Sequence, residues 1–154
     1  MKIIVIGFGR LGSQVVRQID TQENEVVVIE KERSMLERPD LPRGVRSYIG
    51  NAIDEDLLRE AGADSADVLL ALTRDENTNL MIAQIARVVF DVPKVTAVVY
   101  DPQREASFHE AGIETLAITV AGAELLASRL EGGPAAGASG GESWRPAPQA
   151  ATRV

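Results

Sequence analysis

Along the first 131 residues, short runs rich in β-branched residues alternate with helical stretches, and this alternation constrains the fold most strongly. Continuous apolar runs predict strands that are buried on both faces, as in a parallel sheet. With right-handed crossovers, the alternation predicts an α/β fold, a Rossmann-type doubly wound parallel sheet in the order 3-2-1-4-5-6 with helices on both faces. The predicted strands are residues 3–6, 26–29, 46–49, 68–72, 95–99 and 115–118.

Helical spacing of apolar residues predicts helices between these strands. Asp54 is placed to cap one of them, and Pro102 and Gly112 mark the start and end of another. The predicted helices are residues 11–19, 55–61, 77–90, 102–111 and 121–130.

The composition changes after Glu131, where Gly, Ala, Pro and Ser become dominant. Such a segment buries too little apolar surface to offset its loss of conformational entropy. We therefore expect one folded domain over residues 1–131 and a disordered tail over residues 132–154.

The composition also excludes several classes of site. The chain has no cysteine and a single histidine, His109, which excludes a cysteine-ligated zinc, an iron–sulfur cluster and a multi-histidine metal site. Its formal net charge of −7 does not suit binding to nucleic acid. Because no apolar run is long enough to span a membrane and no secretory leader is evident, we expect a cytoplasmic location.

The motif Gly7-Phe8-Gly9-Arg10-Leu11-Gly12 follows the first predicted strand and opens the first helix. In a phosphate-binding loop, the first glycine permits a tight turn, the second lets a pyrophosphate approach the backbone, and the third lets helix and strand pack closely. Arg10 adds a positive charge beside the free N–H groups of the helix. The loop predicts dinucleotide or nucleotide binding, and the alternative is a plain strand–helix turn.

Glu30 ends the second predicted strand, 18 residues after Gly12. This is close to the spacing of the acid that accepts hydrogen bonds from the adenosine ribose. Its charge would repel a 2′-phosphate, which favours NAD(H) or an adenine nucleotide over NADP(H). Lys31 and Arg33 oppose that preference, and the alternative for Glu30 is a solvated acid at a strand end.

No catalytic or metal-binding constellation is evident. His109 is the only side chain that ordinarily titrates near neutral pH, and we interpret it as a surface or packing residue. The acidic residues at 54–56 and 75–76 lie where helices are predicted to begin, and a helix dipole favours them there. We therefore expect a binding module, with a small NAD-dependent oxidoreductase or a redox-sensing Rossmann module as the alternatives.

Several linked motifs resemble one family. They are MKIIVIGFGRLG at the start, VVVIEKE at the second strand, YIGNA at residues 48–52, LLREAG at 57–62 before Ala-Asp-Val, and Ala-Leu-Thr at 71–73 followed by Asp75, Glu76 and Asn77. Together they resemble the KTN or RCK nucleotide-binding domain of Trk-type potassium-uptake regulatory subunits.

The resemblance implies roles for individual residues. Those in the loop would hold the phosphates, and others would face the ribose, the adenine and the far half of the ligand. The loop residues are Gly7, Phe8, Gly9, Arg10, Leu11 and Gly12. Those toward the ribose are Glu30 and Lys31, those toward the adenine are Asn51 and Ala52, and those toward the far half of the ligand are Ala71, Leu72 and Thr73 with Asn77. The chain departs from the family at Asn51, where Asp is frequent, and at residues 97–99, which lack the arginine that many members carry.

The resemblance also implies a function. It implies a cytosolic regulatory subunit that binds NAD(H), or alternatively ATP, ADP or AMP, and gates a membrane transporter through a ligand-dependent conformational change. The partner would be the membrane subunit of a potassium transporter, which holds this chain at the inner face of the membrane. We expect a homo-oligomer, either a dimer or a ring, or a hetero-oligomer with a related regulatory subunit. The apolar residues at helical spacing in 121–130 favour such contacts. The helix predicted at 77–90 is apolar around much of its surface, which either contacts between subunits or packing in the core would explain equally well.

Overall fold

A computed structural model describes residues 1–37 and 41–130. Its centre is a six-stranded sheet in the order β3-β2-β1-β4-β5-β6, with every neighbouring pair parallel. This confirms the predicted doubly wound topology. The strands are β1 Lys2–Ile6, β2 Glu25–Glu30, β3 Arg46–Ile49, β4 Val68–Ala71, β5 Lys94–Val99 and β6 Glu114–Ala117.

Six α-helices accompany the sheet in the described part of the chain, together with 3₁₀ turns at Ala63–Ser65 and Pro102–Arg104. The helices are α1 Arg10–Gln18, α2 Arg33–Leu36, α3 Glu55–Glu60, α4 Glu76–Val88, α5 Glu105–Glu110 and α6 Ile118–Leu130.

The helix bounds differ most from the predicted ones in three places. The predicted helix 102–111 is a 3₁₀ turn followed by α5. Helix α6 begins at Ile118, three residues before its predicted start and inside the range predicted for the last strand. Helix α2 was not predicted, because it has only four residues, none of them buried, and so no apolar periodicity.

Alternate residues of each central strand point to opposite faces and form two cores. On one face, Ile4 packs with Leu58 of α3, Ile82 of α4 and Phe108 of α5. On the other face, Val5 and its neighbours pack with α1. The nearly complete burial of β1 and β2 explains why their sequences are continuously apolar.

The predicted tail at residues 132–154 lies outside the described residues. Within residues 1–37 and 41–130, no helix combines the length and the hydropathy that a bilayer crossing requires. The same ranges contain no cluster of three His, Asp or Glu side chains suited to a metal ion.

Candidate nucleotide-binding site

A cavity of about 360 Å³ opens at the carboxyl ends of the strands, where β1 lies between β2 and β4. The direction of winding reverses at this point, and open α/β sheets bind ligands in the crevice that the reversal creates. Eight of the residues predicted for the site line this cavity, namely Gly7, Gly9, Glu30, Lys31, Asn51, Ala52, Leu72 and Thr73.

Two further predicted residues, Arg10 and Leu11, line an adjoining open groove of about 650 Å³. The remaining four line neither space. The Phe8 side chain is fully buried in the core and Ala71 is buried in β4, while Gly12 is buried in α1. Asn77 lies on the surface, where its side-chain oxygen accepts a hydrogen bond of 2.6 Å from Arg104.

The glycine loop owes its shape to the absence of side chains. Gly7 has a φ of +93°, which other residues rarely adopt, and its N–H donates to the Ile29 carbonyl at 2.9 Å. A Cβ on Gly12 would overlap the Gly7 carbonyl oxygen, so Gly12 allows α1 to pack against the loop. A Cβ on Gly9, in contrast, would meet nothing within 4 Å. Gly9 therefore leaves the backbone open toward the cavity.

Glu30 fastens this loop to the second strand. One of its carboxylate oxygens accepts from the Phe8 N–H at 2.6 Å, and the other accepts from the Glu32 N–H at 3.0 Å. A carboxylate has about four acceptor positions, so these two bonds leave others for a ligand. The acid predicted to read a ribose is therefore held in place before any ligand arrives.

Asn51 presents a hydrogen-bond donor in the lining of the cavity. Its side-chain oxygen accepts from the Ile53 N–H at 3.3 Å in an Asx turn, which determines the orientation of the amide. The amide nitrogen has no partner among the described residues. Ala52, which is 4% exposed, forms the apolar wall beside it.

The opposite wall depends on Asn79, a buried residue that sequence reasoning missed. Its side-chain oxygen accepts from the Thr73 N–H at 2.9 Å and from the Thr73 hydroxyl at 2.6 Å. Its amide nitrogen donates to the carbonyls of Thr73 at 3.1 Å and Val98 at 3.0 Å. Asn79 thereby joins the ends of β4 and β5. The available signal was a polar residue on the same helical face as Ile82, Ala83 and Ala86.

Asp75 lines the cavity and is the N-cap residue of helix α4. Its carboxylate accepts from the Thr78 N–H at 2.6 Å, as an N-cap residue does. Hydrogen bonds from the Thr78 backbone and side chain, together with the charge of Arg104, hold the pKa of Asp75 below its ordinary value.

Glu76 connects this wall to the loop after β5. One of its carboxylate oxygens accepts from the N–H groups of Tyr100 and Asp101, and the other lies 3.4 Å from a guanidinium nitrogen of Arg104. The acid predicted to serve only the helix dipole therefore also holds a neighbouring loop.

Comparison with known proteins identifies relatives of the whole described fold. Residues 3–119 match the TrkA-N domain. The Trk system potassium uptake protein TrkA of Streptomyces coelicolor is 34% identical over 130 residues, which cover 84% of this chain and 58% of that protein. The Vibrio alginolyticus protein of the same name is 30% identical over 135 residues, covering 85% of this chain and 29% of that protein. The chain thus spans between about a third and three fifths of these relatives.

Solved structures share the fold at lower identity. The TrkA-N domain of the Escherichia coli inner membrane protein ybaL superposes with a TM-score of 0.72 at 24% identity, covering 84% of this chain and 94% of that one. The Kef CTD of Shewanella denitrificans in its AMP-bound form gives 0.69 at 21% identity, covering 88% of this chain and 84% of that one. The GsuK channel bound to NAD gives 0.67 at 17% identity, covering 77% of this chain and 21% of that one. The match over residues 3–119 and the relatives at 30% identity or more show that the chain belongs to the TrkA-N domain family.

Proposed function

We propose that this chain binds NAD(H) or an adenine nucleotide in the cavity above the glycine loop. One observation carries the proposal: a single cavity is lined by the open backbone of Gly9, the carboxylate of Glu30 and the amide of Asn51. In a bound nucleotide, these groups would face a phosphate, the ribose and the base. The similar Kef CTD and GsuK structures have AMP and NAD bound, which supports the same ligand class for this chain.

Glu30 supplies the selectivity for the ribose. Its charge attracts the two ribose hydroxyls as donors and repels a 2′-phosphate. Lys31 lines the same cavity and is exposed. We place Lys31 beside the ribose, where its flexible ammonium group stays in water while Glu30 makes the directional contacts.

The bound nucleotide regulates rather than reacts. His109 is exposed at the end of α5 and lines neither cavity. The curated relatives are Trk system potassium uptake proteins, which supports a regulatory role at the cytoplasmic face of the membrane. There the domain would gate the membrane subunit of a potassium transporter. A nucleotide changes such an assembly only to the extent that its two states bind it with different affinities.

The domain works as part of an oligomer, either a dimer or ring of its own kind or an assembly with a related subunit. Helix α6 supports this, because it has no buried residue and exposes Leu126 by 65% and Leu130 by 77%. Large apolar side chains exposed together mark surfaces that associate.

Thermal unfolding in the presence of NAD, NADH, NADP, ATP, ADP and AMP tests the binding proposal. A ligand that binds only the folded state raises the melting temperature, and the increase grows with the ratio of ligand concentration to Kd. We expect NAD(H) or an adenine nucleotide to raise it and NADP to have less effect. If none of these ligands shifts the transition at millimolar concentration, the proposal is wrong.

Glu30→Gln tests the assigned role of the acid. Glutamine keeps one acceptor for the loop and removes the charge, so the ratio of NAD to NADP affinity should fall about tenfold, equivalent to about 1.4 kcal/mol. Isothermal titration of both ligands measures this ratio. A residue that only supported the loop would weaken both ligands equally, and that outcome would contradict the assignment. Glu110→Gln, on the exposed end of α5, is the charge-matched control.

Regulation of transport has a separate test. The chain is added with and without nucleotide to liposomes that contain the potassium-transporter membrane subunit, and rubidium uptake is measured. We expect nucleotide to change the uptake only when the chain is present. If rubidium uptake is the same with and without nucleotide, the regulatory role is contradicted, whereas the binding proposal is unaffected.

A further inference from the structure

We propose that Arg74 is a ligand-selecting residue, which together with Arg10 forms a phosphate subsite in the groove beside the glycine loop. The proposal rests on the nucleotide-binding function argued above. It adds that the phosphates beyond the first one determine how tightly a nucleotide binds. The sequence motifs assign no role to Arg74.

Arg74 lies where the two spaces of the site meet. The cavity that holds Glu30 and the adjoining groove share three lining residues, Gly9, Leu72 and Arg74. A ligand whose first phosphate lies against the open backbone of Gly9 would therefore extend past Arg74 into the groove. Arg74 is the one charged residue common to both linings.

The groove is positively charged in an otherwise acidic chain. Its lining contains two arginines, Arg10 and Arg74, and no acid; the other members are Gly9, Leu11, Gln14, Leu72, Tyr100 and Ile118. The whole chain carries a formal net charge of −7. Two cations without an acid therefore make the groove a local site for anions.

The acids next to Arg74 in the chain are already engaged by other donors. The Asp75 carboxylate accepts from Thr78, and the Glu76 carboxylate accepts from Tyr100, Asp101 and Arg104. Among the residues that the structure describes, Arg74 has no ion pair of its own. A guanidinium that lacks a partner presents its planar set of donors to a phosphate, which it binds in bidentate fashion.

The backbone of Arg74 is fixed on both sides before a ligand arrives. Thr73 is held by the buried Asn79, and the Asp75 N–H donates to the Thr73 hydroxyl at 3.3 Å. Asp75 in turn caps α4. The Cα of Arg74 is thereby held at the junction of the two spaces, and only its side-chain rotamers remain to be ordered when a phosphate binds.

The charge at the distal end of the ligand then sets the order of affinities. ADP and ATP place a second or third phosphate between Arg10 and Arg74, whereas AMP leaves the groove empty. NAD⁺ also carries a second phosphate, but both of its phosphates are diesters with one negative charge each, and a positively charged nicotinamide ring follows them. It therefore brings less negative charge to the two arginines than ADP or ATP does. We therefore infer that the groove favours nucleoside di- and triphosphates over AMP and NAD⁺.

The test is isothermal titration of AMP, ADP, ATP and NAD⁺ into the full chain and into Arg74→Gln. We expect Arg74→Gln to weaken ADP and ATP by about tenfold, the effect of one charge-assisted hydrogen bond, while AMP changes less than twofold. Arg74→Lys, which keeps the charge but not the planar fork, should keep most of the preference of ADP over AMP. Circular dichroism and thermal unfolding confirm that each variant folds.

Arg43→Gln is the matched control, because Arg43 is exposed and precedes β3 at the opposite edge of the sheet. If Arg43→Gln loses as much ADP affinity as Arg74→Gln, the loss comes from the change in net charge and not from a contact in the groove. That outcome would overturn the proposal. An equal loss of AMP and ADP in Arg74→Gln would also overturn it, and would leave nucleotide binding itself intact. If the wild-type chain binds none of the four ligands, both the subsite and the binding function are wrong.

Discussion

The two walls of the site are built in opposite ways. On the side of β1 and β2, the loop has its shape because Gly7 and Gly12 lack side chains and pack backbone against backbone. On the side of β4 and β5, the wall has its shape because Asn79 and Glu76 supply side chains that join separate segments. The first wall is fixed by close contact and the second by hydrogen bonds.

This difference determines how each wall fails. A methyl group added at Gly12 disrupts the first wall, because it would overlap the Gly7 backbone. The second wall depends on satisfied donors and acceptors, because a buried polar group without a partner costs free energy. Three substitutions separate these modes of failure.

Gly12→Ala should have the largest effect. Its Cβ would overlap the Gly7 carbonyl oxygen, so the free energy of unfolding should fall by about 3 kcal/mol or more. Urea denaturation followed by circular dichroism measures the loss. Gly9→Ala is the control in the same loop, where a Cβ meets nothing within 4 Å, and it should cost less than about 1 kcal/mol. Equal losses in the two variants would show that close contact is not what fixes the loop.

Asn79→Ala should have an intermediate effect. It leaves the Thr73 N–H and the Val98 carbonyl without their partner, so we expect a loss of roughly 2–3 kcal/mol in the free energy of unfolding. Asn77→Ala, on the exposed side of the same helix, should change stability by less than about 0.5 kcal/mol. If the two substitutions cost the same in urea denaturation, the hydrogen bonds of Asn79 do not support the second wall.

Asp75→Asn should have the smallest effect, and one that depends on pH. Asparagine still caps the helix, but it lacks the carboxylate whose pKa is lowered in the folded state. In the unfolded chain the pKa of an aspartate is about 4, and a lower pKa in the folded state stabilises the fold at pH values above this. The contribution is lost as the pH falls through the pKa of the folded state. The wild-type chain should therefore exceed the variant in stability at pH 7 and lose that advantage toward pH 3.

Urea midpoints at pH 7, 5 and 3 measure this difference. A stability difference that is constant across the series would mean that the negative charge of Asp75 contributes nothing and that only its hydrogen bond matters.

The same contrast explains what could be predicted from the sequence. The strand order and the loop follow from apolar runs and from glycine spacing, which are local patterns. The structure brings Gly9, Glu30 and Asn51 to one cavity because strand ends in a parallel sheet meet at one edge. The roles of these residues in binding remain predictions.

The second wall could not be predicted, because its determinants join residues that are distant in the chain. Asn79 interrupts an apolar helix face, and its hydrogen bonds to Thr73, six residues earlier, and to the Val98 carbonyl, 19 residues later, explain it. Glu76 likewise gains its role from the loop that follows β5. A single sequence records which residues are polar but not which partners they meet.

The central position of β1 also affects the order in which the chain can fold. Among the six described strands β1 is synthesised first, yet one of its two neighbours, β4, begins with Val68, which pairs with Ile3. Until then β1 can pair only with β2, so one edge of an almost fully buried strand keeps its N–H and C=O groups unpaired. Pairing across so long a stretch of chain also slows folding, because the loop must close before the contacts form. Synthesis of this domain therefore passes through an interval in which an almost fully buried strand is paired on one side only, and the synthesis of β4 ends that interval.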